Sequence, residues 1–133
     1  MANIPFMNPS VLKATHFPVP NRDDTPKALT PLDLTQPPES TDPILQGYRL
    51  LYGLNHLDCQ HWQGYLNVEK FRIHVQVFEP KVEKVLGTVW LLHGYLEHSG
   101  IYQPIIKEIL DQGFNVLTYD LPGHGLSSGA IAS

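Results

Sequence analysis

The run Thr88-Val89-Trp90-Leu91-Leu92 has no polar residue after its first, the pattern of a strand covered on both faces in a parallel sheet. Downstream, Ile101, Tyr102, Ile105, Ile106, Ile109 and Leu110 recur at i, i+4 spacing and paint a broad apolar stripe on a helix. Pro104 is tolerated only in a first turn, so regular helix is placed from about Tyr102, and Gly113 supplies a natural stop. Phe114 to Asp120 then reads as a second strand. Parallel strands joined through a helix need a crossover, which is right-handed by rule, and the class is α/β.

The chain before this unit is less regular. Phe71-Arg72-Ile73-His74-Val75-Gln76-Val77 alternates apolar with polar, so it is expected to be a half-buried strand with His74 on its solvent face. Tyr65 to Val68 is expected to pair with it as a hairpin, turning near Glu69-Lys70. Upstream, Thr41-Asp42-Pro43 starts a short helix: a polar cap, then a proline with no N–H to leave unpaired. Ile44, Leu45, Tyr48, Leu51 and Tyr52 give it one apolar face to about Leu54. Nine of the twelve prolines fall between Pro5 and Pro43, so residues 1–40 are read as a disordered or irregular Pro-rich arm. Pro18-Val19-Pro20 and Pro37-Pro38 are read as parts of a solvated linker rather than as partner motifs. The expected organisation is arm 1–40, helix and connection 41–62, and an incomplete α/β domain over 63–133.

Charge and cysteine content remove several function classes. A formal net charge of −4 with both signs interspersed leaves no basic stripe for a phosphate backbone, so no nucleic-acid partner is expected. No apolar run approaches the roughly 20 residues that a membrane span needs. The start carries no cationic leader with an apolar core. Peripheral lipid contact stays open. Cys59 is the lone cysteine, which points to a reducing, cytoplasmic setting. His56, Cys59 and His61 could be read as a metal clip, but that set needs a further ligand; no metal and no cofactor are expected.

Gly125-Leu126-Ser127-Ser128-Gly129 fits the G-x-S-x-G pattern of a nucleophile elbow. A working elbow places its serine on one sharp corner between strand and helix. Here Leu121 to Gly125, rich in glycine and proline, separate the strand from the motif, and "GAIAS" is too short for the required helix. Ser127 is therefore expected to be a structural loop residue whose hydroxyl bonds nearby backbone. Glu97, His98 and Asp120 could form an acid–base pair or a metal site, yet neither His98 nor His124 is expected to be a catalytic base without a nucleophile in reach.

"LLHGYLEHSGIY" followed by "GFNVLTYDLPGHGLSSG" resembles the N-terminal portion of an α/β-hydrolase, in the branch of monoacylglycerol lipases, lysophospholipases and serine aminopeptidase-like enzymes. The resemblance covers about Tyr65 to Gly129. It implies that His93 and Gly94 shape a turn whose next N–H, that of Tyr95, donates to an oxyanion. Glycine permits the close approach and a fixed N–H stabilises developing charge. It further implies that Leu96, Glu97 and His98 line a pocket, with Ser99 able to cap the following helix. Asp120, Gly123, His124, Gly125 and Ser127 then form a loop motif that does not supply the nucleophile.

In the family the nucleophile, acid and base follow later in the order Ser, Asp, His, and the strands lie in the order 1-2-4-3-5, which is expected to leave Thr88 to Leu92 without its outer neighbour, an uncovered apolar edge. The resemblance therefore implies a fragment, a truncated reading frame or one piece of a complex. Such a piece would contribute an oxyanion loop for hydrolysis of small or lipid-like esters, without a triad of its own. Amide or peptide hydrolysis, epoxide or halide chemistry through an aspartate, and a non-catalytic binding or regulatory role are the alternatives. The aspartate branch usually has a proline soon after His-Gly, which Tyr95-Leu96-Glu97 lacks.

Overall fold

A computed structural model describes residues 25–131; Pro18-Val19-Pro20 and most of the expected arm lie outside the described residues. The chain forms α1 (Pro43–Leu51), β1 (Cys59–Val68), β2 (Phe71–Pro80), β3 (Thr88–Leu92), α2 (Gln103–Asp111) and β4 (Asn115–Tyr119). The sheet order is β1-β2-β4-β3. β1 and β2 pair antiparallel along their whole length, from Cys59 with Pro80 to Val68 with Phe71, so Glu69-Lys70 is the two-residue hairpin turn. β4 lies antiparallel to β2 and parallel to β3. The sheet is thus mixed, an antiparallel hairpin joined to one parallel β3–α2–β4 unit.

The helices form where local chemistry directs them. Asp42 accepts from the Ile44 N–H at 2.8 Å and Pro43 occupies the first turn of α1. This helix ends at Leu51, sooner than its apolar spacing suggests, because Gly53 turns left-handed at φ 71° into a short 3-10 turn, Leu54–His56. Leu45 and Tyr48 are buried, whereas Ile44 and Leu51 are exposed. Pro104 sits in the first turn of α2, and the helix stops before Gly113, where φ is 90°. Its Ile106 and Leu110, one turn apart, meet Phe78 and Val116 of the sheet in a core that also takes Tyr48, Leu54, Leu57, Cys59 and Leu126.

Four expectations need correction. His74 is fully buried. β2 is an inner strand, and its outward-reading face is covered by the 120–128 loop and by the Tyr48 ring, 5.7 Å from the His74 ring. β3 is the edge of the described sheet, as the strand order implied by the resemblance has it, but it is not covered on both faces: Trp90 is 68% exposed while Val89 and Leu91 are half-buried. β1 begins at Cys59, inside the stretch expected to be helix and connection. Residues 25–40 are irregular but not a solvated linker. Leu32 N–H donates to Tyr65 O at 3.0 Å, Tyr65 N–H to Thr30 O at 2.9 Å, and Trp62 Nε1 to the Gln36 carbonyl at 2.9 Å. The segment thus lies along the outer edge of β1, as close as Gly64 allows. A Cβ there would stand 2.5 Å from Leu32 Cα.

Candidate active site

Because β3 and β4 run parallel, with Leu92 beside Tyr119, the loops that follow them leave the sheet at the same end. That is where open α/β sheets place their ligands. The first loop is His93 to His98. Glu97 N–H donates to Gly94 O at 3.1 Å, closing a turn with Tyr95 and Leu96 at its centre. Leu96 has φ 64°, a conformation such turns ordinarily reserve for glycine. Tyr95 is 68% exposed at the tip. The Gly94 N–H meets the Glu97 carboxylate at 3.0 Å and the Tyr102 hydroxyl at 3.1 Å, and that hydroxyl also donates to Glu97. The two hydrogen bonds, Tyr102 first, hold the Glu97 carboxyl below the usual range. Partial burial and then the Glu97 bond push the Tyr102 phenol up.

His98 is buried with its ring 4.8 Å from that of Tyr52 and is the cap of the 3-10 turn Ser99–Tyr102, accepting the Gly100 N–H on Nδ1 at 3.2 Å. Ser99, expected to cap, instead gives both its N–H and its hydroxyl to Asp120 Oδ1, at 2.8 and 2.7 Å. Burial is the main reason that His98 is driven toward its neutral form.

The second loop runs from Asp120 past Gly129. Asp120 is fully buried; besides Ser99 it receives His74 Nδ1 at 2.7 Å and the Leu126 N–H at 3.0 Å, both on Oδ2. Burial alone would raise its pKa. The His74 imidazole and its hydrogen bond, with the nearby His98 ring and the Ser99 N–H, override this and hold the carboxyl well below its usual range. Gly125, at φ 50°, lies so close that a Cβ would fall 2.2 Å from Asp120 Oδ2. Gly123 is likewise left-handed, at φ 76°.

Ser127 is 1% exposed. Its hydroxyl donates to the Asp120 carbonyl at 2.7 Å and accepts the His74 backbone N–H at 2.8 Å, so it ties the loop to β2 through main chain alone. The serine that fits a nucleophile motif is thus held beneath the surface, with its proton on a carbonyl.

A line of buried polar groups continues from Asp120 across β2. Gln76 Nε2 donates to Ser99 Oγ at 2.9 Å and to the Tyr48 hydroxyl at 3.3 Å, and its Oε1 meets His61 Nε2 at 2.8 Å. Arg49 Nε donates to His61 Nδ1 at 3.0 Å. Burial, reinforced by the Arg49 charge, lowers the His61 pKa to about 3. Both nitrogens of His61 are engaged inside this network, and Cys59 lies in the core with its thiol pushed up to about 11 by burial. Among the described residues no group of three His, Cys, Asp or Glu side chains is placed to hold a metal. His74, Gln76, Tyr48 and Tyr102 were not anticipated as members of this region. The available signal was a pair of polar side chains, His74 and Gln76, on a strand that topology makes central.

Residues 83–133 match the family described as Serine aminopeptidase, S33 (Hydrolase_4). An uncharacterized abhydrolase domain-containing protein of Dictyostelium discoideum is 39% identical over 64 residues, which is 48% of this chain and 7% of that protein. Among solved structures, a cold-adapted esterase from an Arctic intertidal metagenomic library aligns at 26% identity and TM-score 0.46, over 52% of this chain and 30% of its own. A lipase in its open form aligns at 33% identity and TM-score 0.43, over 50% and 21%. The chain therefore spans a small part of the length of each relative. No helix among the described residues is long and apolar enough to cross a membrane. The motif pair and the matched segment make this chain similar, over residues 83–133, to the serine aminopeptidase S33 family.

Proposed function

We propose that this chain supplies the oxyanion-binding side of a serine-type hydrolase acting on small carboxylic esters, with lysophospholipid or monoacylglycerol-like molecules as the substrate class. The backbone N–H of Tyr95 is the donor, His93 and Gly94 shape its turn, and Leu96 and Glu97 border the acyl group. The compartment that fits a buried free thiol at Cys59 is a reducing one, the cytoplasm. The observation that carries the reading is the Gly94–Glu97 turn, closed at 3.1 Å with a leucine forced to φ 64° beside the donor. Strain of this kind collects where a fixed backbone orientation is used, and a preset N–H stabilises an oxyanion without reorganising. The serine aminopeptidase description of the matched family favours a second reading, amide or peptide hydrolysis through the same donor.

The test is an amide NMR titration of the chain with a short alkyl phosphonate, a stable mimic of the tetrahedral oxyanion. The largest shift is expected at Tyr95. Glu97→Gln, which removes a negative charge beside the turn, is expected to tighten binding by about threefold to fivefold, as one screened charge at this range is worth about 1 kcal/mol. Shifts that leave Tyr95 unmoved, or no gain from Glu97→Gln, would contradict the assignment. Attaching ester or amide analogues of the same acyl group then separates the two readings by which one shifts Tyr95 at lower concentration.

A further inference from the structure

We propose that His93 and His124 form a reciprocal latch of two neutral imidazoles that positions the Tyr95–Leu96 backbone. The latch is a property of the two loops, while its consequence for catalysis rests on the oxyanion reading above. Leu121 N–H, in the second loop, donates to His93 Nε2 at 2.9 Å, and Leu96 N–H, in the first, donates to His124 Nε2 at 3.2 Å. Each ring turns its other nitrogen to a carbonyl of its own loop: His93 Nδ1 to Gly94 O at 2.7 Å, His124 Nδ1 to Pro122 O at 3.0 Å. A nitrogen facing an N–H must offer a lone pair, and one facing a carbonyl must carry hydrogen. Both rings are therefore neutral and protonated on Nδ1. Their centroids lie 5.1 Å apart, and both are largely buried.

The arrangement has a consequence for the strained residue. Leu96, at φ 64°, follows the proposed donor directly, and its N–H is held by His124 from across the gap. His93 in turn fixes the start of the loop that carries His124. An imidazolium has no lone pair to accept an N–H, so a proton on either ring sets donor against donor and opens that side of the latch. The titratable groups around the pair are Glu97 and His98 at the end of the first loop, Tyr102 on Gly94, Tyr95 against the His124 ring at 5.7 Å, and Asp120 at the head of the second loop.

Long-range proton–nitrogen NMR of the unaltered chain at about pH 7.5 reads the tautomers directly, and Nδ1–H with a bare Nε2 is expected in both rings. Amide exchange reads the positioning. His124→Phe is expected to lower Leu96 protection by about tenfold or more with Leu121 spared, and His93→Phe to do the reverse. His124→Gln, whose amide oxygen can accept in place of Nε2, should restore Leu96 protection. An Nε2–H tautomer in either ring, or protection indifferent to these changes, overturns the latch. A phosphonate that fails to shift Tyr95 while the tautomers stand overturns the oxyanion reading and leaves the latch intact.

Discussion

At the scale of single residues, the decisive position is Gly125. It combines φ 50° with a Cβ path that ends 2.2 Å from Asp120 Oδ2, so alanine there must displace the carboxylate that holds Ser99, His74 and Leu126. Gly125→Ala is expected to cost about 2 to 4 kcal/mol, combining backbone strain with a disturbed buried network, as read from the urea midpoint. A loss under about 0.5 kcal/mol would mean that the loop is not anchored through Asp120. The loop role of Ser127 was legible in sequence because a nucleophile needs a corner and this motif sits in a glycine-rich loop. The partner of His74 was not. Alternation assigns a polar side chain to the solvent face, and only the return of a loop more than forty residues later covers that face with Asp120.

At the scale of elements, β3 and β2 show opposite failures of the same periodicity rule. An unbroken apolar run predicts burial on both faces, yet β3 lies at the edge of the described sheet with Trp90 and Leu92 exposed. Sequence reports what a strand could bury, and the neighbours decide what it does bury. Trp90→Lys is therefore expected to change folding stability by no more than about 0.5 kcal/mol, the range of exposed substitutions. Phe78→Ala, at a fully buried position in the core, is expected to cost about 3 to 5 kcal/mol. Chemical denaturation of the two variants checks the pair, and equal losses would contradict the assigned edge. The helices were more legible, because Asp42, Pro43, Pro104 and Gly113 act through local backbone chemistry that requires no partner. The irregular strap over β1 was missed for the opposite reason: it is held by the Leu32 N–H, which donates to a strand far along the chain, and by the Thr30 and Gln36 carbonyls, which accept from it.

At the scale of the whole molecule, buried ionisable groups set a pH dependence. His61 has its folded pKa lowered to about 3, against an ordinary value of about 6.5. Between these values the unfolded chain takes up a proton that the folded chain refuses, so this contribution is complete above about pH 6.5 and is lost as pH falls. Asp120 adds to it lower down: its folded carboxyl is depressed, so its contribution is complete above about pH 4 and is lost on further acidification. The unfolding free energy from urea titrations measured downward from about pH 7.5 should fall, by up to about 1.4 kcal/mol per pH unit for each such group between its folded and unfolded pKa values, and His61→Gln should flatten the upper part of the curve. A profile flat to about pH 4.5 would contradict the buried network.

Ser127 is a strut, its hydroxyl spent between the Asp120 carbonyl and the His74 N–H. Incubation of the folded chain with an alkyl fluorophosphonate, followed by mass spectrometry of its peptides, tests this without any substitution. The peptide bearing Ser127 is expected to stay unmodified, and stoichiometric phosphonylation of Ser127 would contradict the account.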